Sequence, residues 1–320
     1  MSSSMVTARS GDANFPSRLR ASNPRYGEKI IKALLAFAAA ISVLTTVSIV
    51  ISLLGPSIAF FQDPAVTLKE FFTGTQWAPS LAKPSFGVLP IVVGTLMVVF
   101  FALIVAIPLG ILLAIYLSEY APKKVRKIVK PLLEVLEGLP TVAIGLFTFF
   151  WLMPTIVKLT PFLPWAGPFS IGVAGIAVGL VIIPLVSSVS DDAMRSVPRG
   201  LREGAYALGA SKFEVSIKVV LPAAISGIIA AIVLGASRAV GETMVVMLVA
   251  GAGNPNLSFD PTKGIQTMTA FIGGRATGDI ATGTLDYNTI FAVGTLLFFM
   301  TLAMNILAIK LVKRYREVYD

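Results

Sequence analysis

The residues of this sequence best suited to chemistry are an arginine and a glutamate four positions apart in an otherwise apolar stretch: Ser237-Arg238-Ala239-Val240-Gly241-Glu242-Thr243. On a continuous helix positions i and i+4 share a face, so Arg238 and Glu242 are expected to pair. A guanidinium is a planar fork of donors that matches oxyanion oxygens, and a neighbouring carboxylate can hold the fork in place. That carboxylate repels a fully ionised anion but accepts a hydrogen bond from a protonated one. Phosphate near neutral pH carries such protons and sulfate does not, so the pair favours phosphate. Ser237 and Thr243 flank the pair and are grouped with it as a candidate substrate pathway. The structural alternative is an ion pair that only fixes helix packing.

Other chemistries are excluded by composition. The 320 residues contain no Cys and no His, which removes thiol nucleophiles, disulfides, zinc sites and imidazole acid–base catalysis. No nucleophile–base constellation can be assembled, so an enzyme is not expected. A phosphate-cradling P-loop needs a Gly-Lys dipeptide, and none occurs. The chain therefore has no ordinary means of binding ATP or its magnesium, and no cofactor of its own is expected. Hydrophobic residues make up 55% and charged residues only 13%, with mean hydropathy +0.83. Soluble chains carry about 25% charged residues, so lipid is the main solvent here.

The elements that must position Arg238 are membrane spans, giving an all-α integral membrane protein. About 20 residues cross roughly 30 Å of hydrocarbon. Six stretches are long enough: Ala33–Phe61, Val88–Leu117, Leu139–Val157, Ile171–Val189, Ala223–Ala250 and Asn288–Val312. Pro108, Pro154 and Pro184 fall within spans, and Gly172, Gly175 and Gly179 recur at near-helical spacing on the fourth, as close packing requires. Residues 1–32 read as a disordered tail and 313–320 as a second tail. Residues 33–87 hold the first span and an outer loop, and 88–312 the main transmembrane domain. With both tails placed inside, twenty Lys and Arg fall on the cytoplasmic side and five outside. That bias sets the orientation and accounts for the net charge of +9 without nucleic acid. Arg238, inside the fifth span, is the one basic residue left over. A charge at such depth costs at least ~2.5–3.5 kcal/mol, so it should face the bundle or an aqueous path.

The cytoplasmic loop 190–222 is longer than a helix–helix connection needs. Ala205, Leu208 and Phe213 are apolar among charged residues, Gly209 breaks or bends the helix, and Pro222 starts the next. A short amphipathic helix here would either present a ridge to another protein or simply anchor the loop at the membrane surface. Glu203, Gly204, Ala205, Gly209, Val219, Leu221 and Pro222 resemble the EAA motif of ATP-binding-cassette (ABC) importer permeases: Glu-Ala-Ala, a Gly six positions after the Glu, then Ile-x-Leu-Pro. The departures are Gly204 for Ala and Val219 for Ile. This resemblance implies a type I ABC importer permease fold, with Arg202–Ser216 as a coupling helix seated in a cleft of a separate ATPase.

The segment S-R-A-x-G-E-T after such a loop is similar to the phosphate-specific permeases, the PstC and PstA families, and Met244-Val245-Val246 lies nearer PstC. Similarity runs from about Phe86 to Val312, including Gly87-Val88-Leu89-Pro90-Ile91 and Gly94-Thr95. It implies a phosphate path shared with a PstA-like sister permease over two copies of an ABC ATPase. It also implies a soluble phosphate-binding protein at the outer face and a place in the bacterial inner membrane. Alternatives are an ABC permease for sulfate or molybdate, or an ion-coupled secondary transporter with Glu242 as carrier. The chain shows no evident inverted repeat of broken helices to support the latter. Of the outer loops, Gln62–Phe86 carries Phe71, Phe72 and Trp77, read as membrane-interface anchors, and Gly251–Tyr287 is long and rich in Gly and Thr.

Overall fold

Long apolar runs leave the backbone no partner but itself, and the computed structural model, which describes residues 26–251 and 254–314, is accordingly built of helices. Two compact units meet in sequence at Ile51 and Ser52. In the first, the described residues are the opening turns of α1 (Tyr26–Gln62), whose apolar side chains such as Leu34, Phe37 and Leu44 are exposed. Tyr26–Lys32 are therefore helical where a disordered tail was expected. The rest of that tail, and 315–320 of the second, lie outside the described residues.

The second unit continues with α2 (Leu68–Thr73) and a two-stranded antiparallel ribbon, β1 (Trp77–Ala78) and β2 (Ser85–Phe86), with Trp77 opposite Phe86. Next come α3 (Leu89–Ile115), prolonged by a π-helical turn at Tyr116–Tyr120, and α4 (Lys123–Glu137). Helices α5 (Thr141–Phe147) and α6 (Met153–Leu159) are joined by a second π-helical turn and act as one span. After α7 (Ile171–Ser196) come the short helices α8 (Arg199–Ala207), α9 (Lys212–Glu214) and α10 (Leu221–Ala223). Then follow α11 (Ile225–Gly241), α12 (Met244–Val249), α13 (Met268–Ala276) and α14 (Leu285–Arg314).

Among the described residues, five helices are long and apolar enough to cross a membrane. They lie at Gly27–Gln62, Leu89–Tyr120, Thr141–Leu159, Ile171–Ser196 and Leu285–Lys313. A sixth is reached only by joining Ile225–Gly241 to Lys212–Ala223, the last part of the connecting loop, across a bend of 71°. The expected fifth span does not run as one helix from Ala223 to Ala250. It stops at Gly241, where Glu242 turns extended (φ −68°, ψ 125°).

Helix α7 is the spine of this unit, and its small residues explain why. A Cβ on Gly175 would stand 2.5 Å from the Cβ of Phe101, and one on Gly179 would stand 2.7 Å from the carbonyl of Ala102. Only glycine lets α3 approach so closely, as the spacing predicts. Ser170 begins α7 by accepting from the Val173 N–H at 3.1 Å and donating to the Pro261 carbonyl at 2.8 Å. Buried Ile182, Val186, Ala236 and Ala239 extend the same core onto α11.

The outer segments interlock. Trp77 N–H donates to the Pro255 carbonyl and Leu257 N–H to the Thr75 carbonyl, both at 2.8 Å. Phe71 and Trp77 are buried with Phe60, Phe86 and Phe271 in an edge-to-face aromatic cluster. They fill a core, contrary to the expectation that they anchor the membrane interface, and of the three aromatics only Phe72 is exposed. Apolar area and ring geometry are both satisfied by packing, which outweighs a place among headgroups.

Candidate functional site

Arg238 sits in the last turn of α11, held by a residue the sequence did not single out. Its Nη1 donates to Glu137 Oε1 and its Nη2 to the Glu137 backbone carbonyl, both at 3.1 Å. Each side chain of this ion pair is about one-third exposed, Arg238 at 30% and Glu137 at 32%. Glu137 is the last residue of α4, whose closing carbonyls lack helical partners, so the arginine satisfies a helix end as well as a carboxylate.

Arg238 and Glu242 do not form an ion pair among the described residues, contrary to expectation. The helix they were to share ends between them. Glu242 is buried, and its Oε1 accepts the Val245 N–H at 3.3 Å while its carbonyl accepts the Thr269 hydroxyl at 2.7 Å. The carboxylate thus serves the free N–H groups that open α12, a role a glutamate fills well at a helix N-terminus. Ser237 Oγ donates to Asn305 Oδ1 on α14 at 3.1 Å, and Thr243 Oγ1 donates to the Gly241 carbonyl at 3.2 Å. The four expected pathway residues therefore cluster at one helix break, but with separate partners.

A charge search could have found Glu137. An arginine at depth needs a carboxylate, and Glu134 and Glu137 stand immediately before the third span. What sequence reading missed was α4 itself. Five cations in a row of connecting residues read as a loop, yet the segment is a helix with Leu133 buried against its neighbours.

The loop Glu203–Pro222 is helical in α8 and again from α9 through a π-helical turn at Val215–Val220 into α10, and it is broken where Gly209 takes φ +84°, a left-handed conformation that favours glycine. Arg202–Ser216 is therefore not one helix. Arg202 fastens α8 to the end of α7, donating to the carbonyls of Val197 (2.6 Å) and Met194 (2.7 Å) and to Glu119 (3.1 Å). Lys212 stands over the Tyr120 ring at 4.9 Å. Ala205 and Leu221 pack inward against the core of Met194, Val215 and Val220. Glu203, Gly204 and Pro222 are exposed. Leu208 and Phe213 point outward, 90% and 66% exposed, on either side of the break, whereas Ala205, the third apolar residue expected on that face, packs inward.

Ser211 and Glu214 close a reciprocal capping box at the start of α9: Glu214 N–H donates to Ser211 Oγ, and Ser211 N–H to Glu214 Oε2. The Ser211 backbone bond, then its hydroxyl, then Lys218, lower the Glu214 pKa from the usual 4.5 to about 2. Asp260, in the outer loop, is likewise lowered, chiefly by the Thr262 hydroxyl and N–H and further by Lys263.

Apolar spans around a glycine-packed spine, an arginine at a helix break and exposed Leu208 and Phe213 on a bent connecting loop fit a transport permease subunit. The chain belongs to the binding-protein-dependent transport system inner membrane components, the family whose pattern matches residues 106–317. It is 34% identical to the probable ABC transporter permease protein YqgH of Bacillus subtilis (strain 168), over 88% of this chain and 89% of that protein. It is 32% identical to the phosphate transport system permease protein PstC of Xylella fastidiosa (strain 9a5c), over 87% and 88%. A bacterial alginate ABC transporter, solved with its alginate-bound periplasmic protein, superposes with TM-score 0.59 at 17% identity, over 91% of this chain and 98% of that one. An inward-facing MetNI methionine ABC transporter superposes with TM-score 0.52 at 19% identity, over 72% and 95%. At such identities the two structures show the shared type I importer permease fold alone.

Proposed function

We propose that this chain lines the transmembrane path for inorganic phosphate in an ATP-driven importer, with the Arg238 guanidinium as the group that meets the anion. The observation carrying this reading is the position of Arg238: a planar donor fork, one-third exposed, at the broken end of α11. Similarity to permeases named for phosphate transport over most of the chain supports the same cargo. A separate ATPase would seat Leu208 and Phe213 in its cleft and move α8 and α9 as it closes. The chain would pair with a PstA-like sister permease over two ATPase copies, and a soluble phosphate-binding protein would deliver the anion outside. The Lys and Arg bias supports cytoplasmic N- and C-termini.

The test is phosphate uptake by membrane vesicles carrying the complete importer, with the abundance of this chain measured in parallel. Arg238→Gln is expected to abolish uptake at normal abundance, and Arg238→Lys to recover only part of it, since a lysine offers charge without the fork. Excess sulfate is expected not to compete. Normal uptake by Arg238→Gln would refute the reading.

A further inference from the structure

Charge on α4 is sorted by face. Each helical residue turns by ~100°, which puts Lys123, Arg126, Lys127, Lys130, Glu134 and Glu137 along one side. Ile128, Leu132 and Val135 line another side and are exposed. The charged face ends at Glu137, on which Arg238 rests. The same face borders a cavity of about 460 Å³ whose lining runs along α4 from Lys123 to Glu134, one turn short of Glu137. Lys123, Arg126, Lys127, Lys130 and, from α7, Arg195 line that cavity, and Glu134 is its single acidic lining residue.

Two of the five cations are already engaged. Arg126 Nη2 donates to the fully buried Asp191 at 2.7 Å, and Lys130 bonds Asp192 and lies 3.8 Å from Asp191. These bonds fix α4 on the end of α7 and hold the two cations in place. Lys123, Lys127 and Arg195 have no ion pair among the described residues. Arg126 Nε is a buried N–H without a partner among them. Three unpaired cations around a cavity with one carboxylate make an environment for a compact anion of more than one charge.

We propose that this cavity is a second oxyanion site, for a phosphate group, on the face of α4 that ends at Glu137. The group comes either from inorganic phosphate leaving the pathway or from the headgroup of an anionic phospholipid. Both present the same oxygens to the same cations, and basic pockets between membrane helices take such headgroups. The site itself stands on the cavity. Its place at the end of a transport route rests on the phosphate reading of Arg238.

Binding to the full chain separates these cases. In phosphatidylcholine nanodiscs, equilibrium dialysis against radiolabelled inorganic phosphate is expected to show binding that Lys127→Gln/Arg195→Gln weakens at least tenfold. Arg238→Gln should leave that binding in place, and Lys124→Gln, which removes a charge on α4 outside the cavity, should leave it unchanged. In parallel, native mass spectrometry of chain purified from phosphatidylglycerol-containing membranes reads the lipid retained. Loss of retained phosphatidylglycerol in the double variant, with no phosphate bound in phosphatidylcholine, keeps the site and assigns it to the lipid. If the double variant changes neither phosphate binding nor lipid retention, the site is refuted. The phosphate reading of Arg238 fails separately, on uptake by Arg238→Gln.

Discussion

Neutralising Glu137 should tighten the transporter's apparent hold on phosphate. Arg238 makes two bonds of 3.1 Å to Glu137, one to the carboxylate and one to the backbone carbonyl. An anion that takes the guanidinium must displace the carboxylate. Exposed ion pairs are worth about 0–1 kcal/mol, and breaking a fully buried one costs about 3–5 kcal/mol. With each partner about one-third exposed, this pair falls between, at about 1–2 kcal/mol. Glu137→Gln keeps the backbone carbonyl and the side-chain size but replaces the charge-assisted bond with a weaker neutral one, which an anion displaces more easily. A protein whose binding-competent state is rare binds weakly in proportion to its rarity, so half-saturating phosphate should fall about 5- to 30-fold. The assay is initial uptake by vesicles carrying the complete importer, over a phosphate series, with chain abundance measured. A half-saturation unchanged or raised at normal abundance would show that Glu137 does not compete with substrate for Arg238.

Truncating the exposed apolar side chains of the coupling loop should uncouple the chain from its ATPase: Leu208→Ala with Phe213→Ala is expected to weaken co-purification by about 10- to 100-fold, as for the loss of one to two interface anchors, with membrane abundance unchanged. Gly175→Val should lower abundance and thermal stability by about 1–3 kcal/mol through overpacking, because its first carbon already meets Phe101; normal melting of the detergent-solubilised variant would contradict this. The capping box at Ser211 should depend on pH. Glu214 has a folded pKa of about 2 against the usual 4.5, so its stabilising contribution is present above about pH 4.5 and lost as pH falls through 2. Hydrogen exchange of amides 211–216, corrected for intrinsic rate, should show protection declining across that window in the wild type and flat in Glu214→Gln.

The spans were legible because each is a run of apolar residues longer than a bilayer is thick, and hydrocarbon tolerates little else. The glycine contact of α7 was legible for a related reason, since small residues at helical spacing have one common use in a bundle. The aromatic loop was misread because a Trp or Phe near a span end has two stable settings. Which one it takes depends on Pro255 and Phe271, nearly two hundred residues away. Helix α4 was hidden by its own charge. Membrane-protein reading discounts a stretch with Lys at every third or fourth place, although that spacing is also a helical face.

The break after Gly241 shows where sequence reasoning about the site reached its limit. Treating Arg238 and Glu242 as a pair required only that the helix continue through Ala239-Val240-Gly241, and the local sequence allows that. At the break a distant residue, Thr269, donates to the Glu242 carbonyl, and locally the Val245 N–H donates to the carboxylate that Arg238 would have used. Arg238 is then left to find a carboxylate elsewhere, and it finds one at the end of a helix 101 residues earlier. The types of residue needed for oxyanion chemistry were visible in one short segment, but their partners were not. The difference matters for mechanism, because a glutamate on the same turn would move with Arg238. Glu137 belongs to α4, which is tied to α7 through Arg126 and Asp191. Any motion of α11 relative to α7 must therefore stretch or release the Arg238–Glu137 bond. A shift in the coupling loop, which connects α7 to α11, can in this way reach the residue that meets the anion.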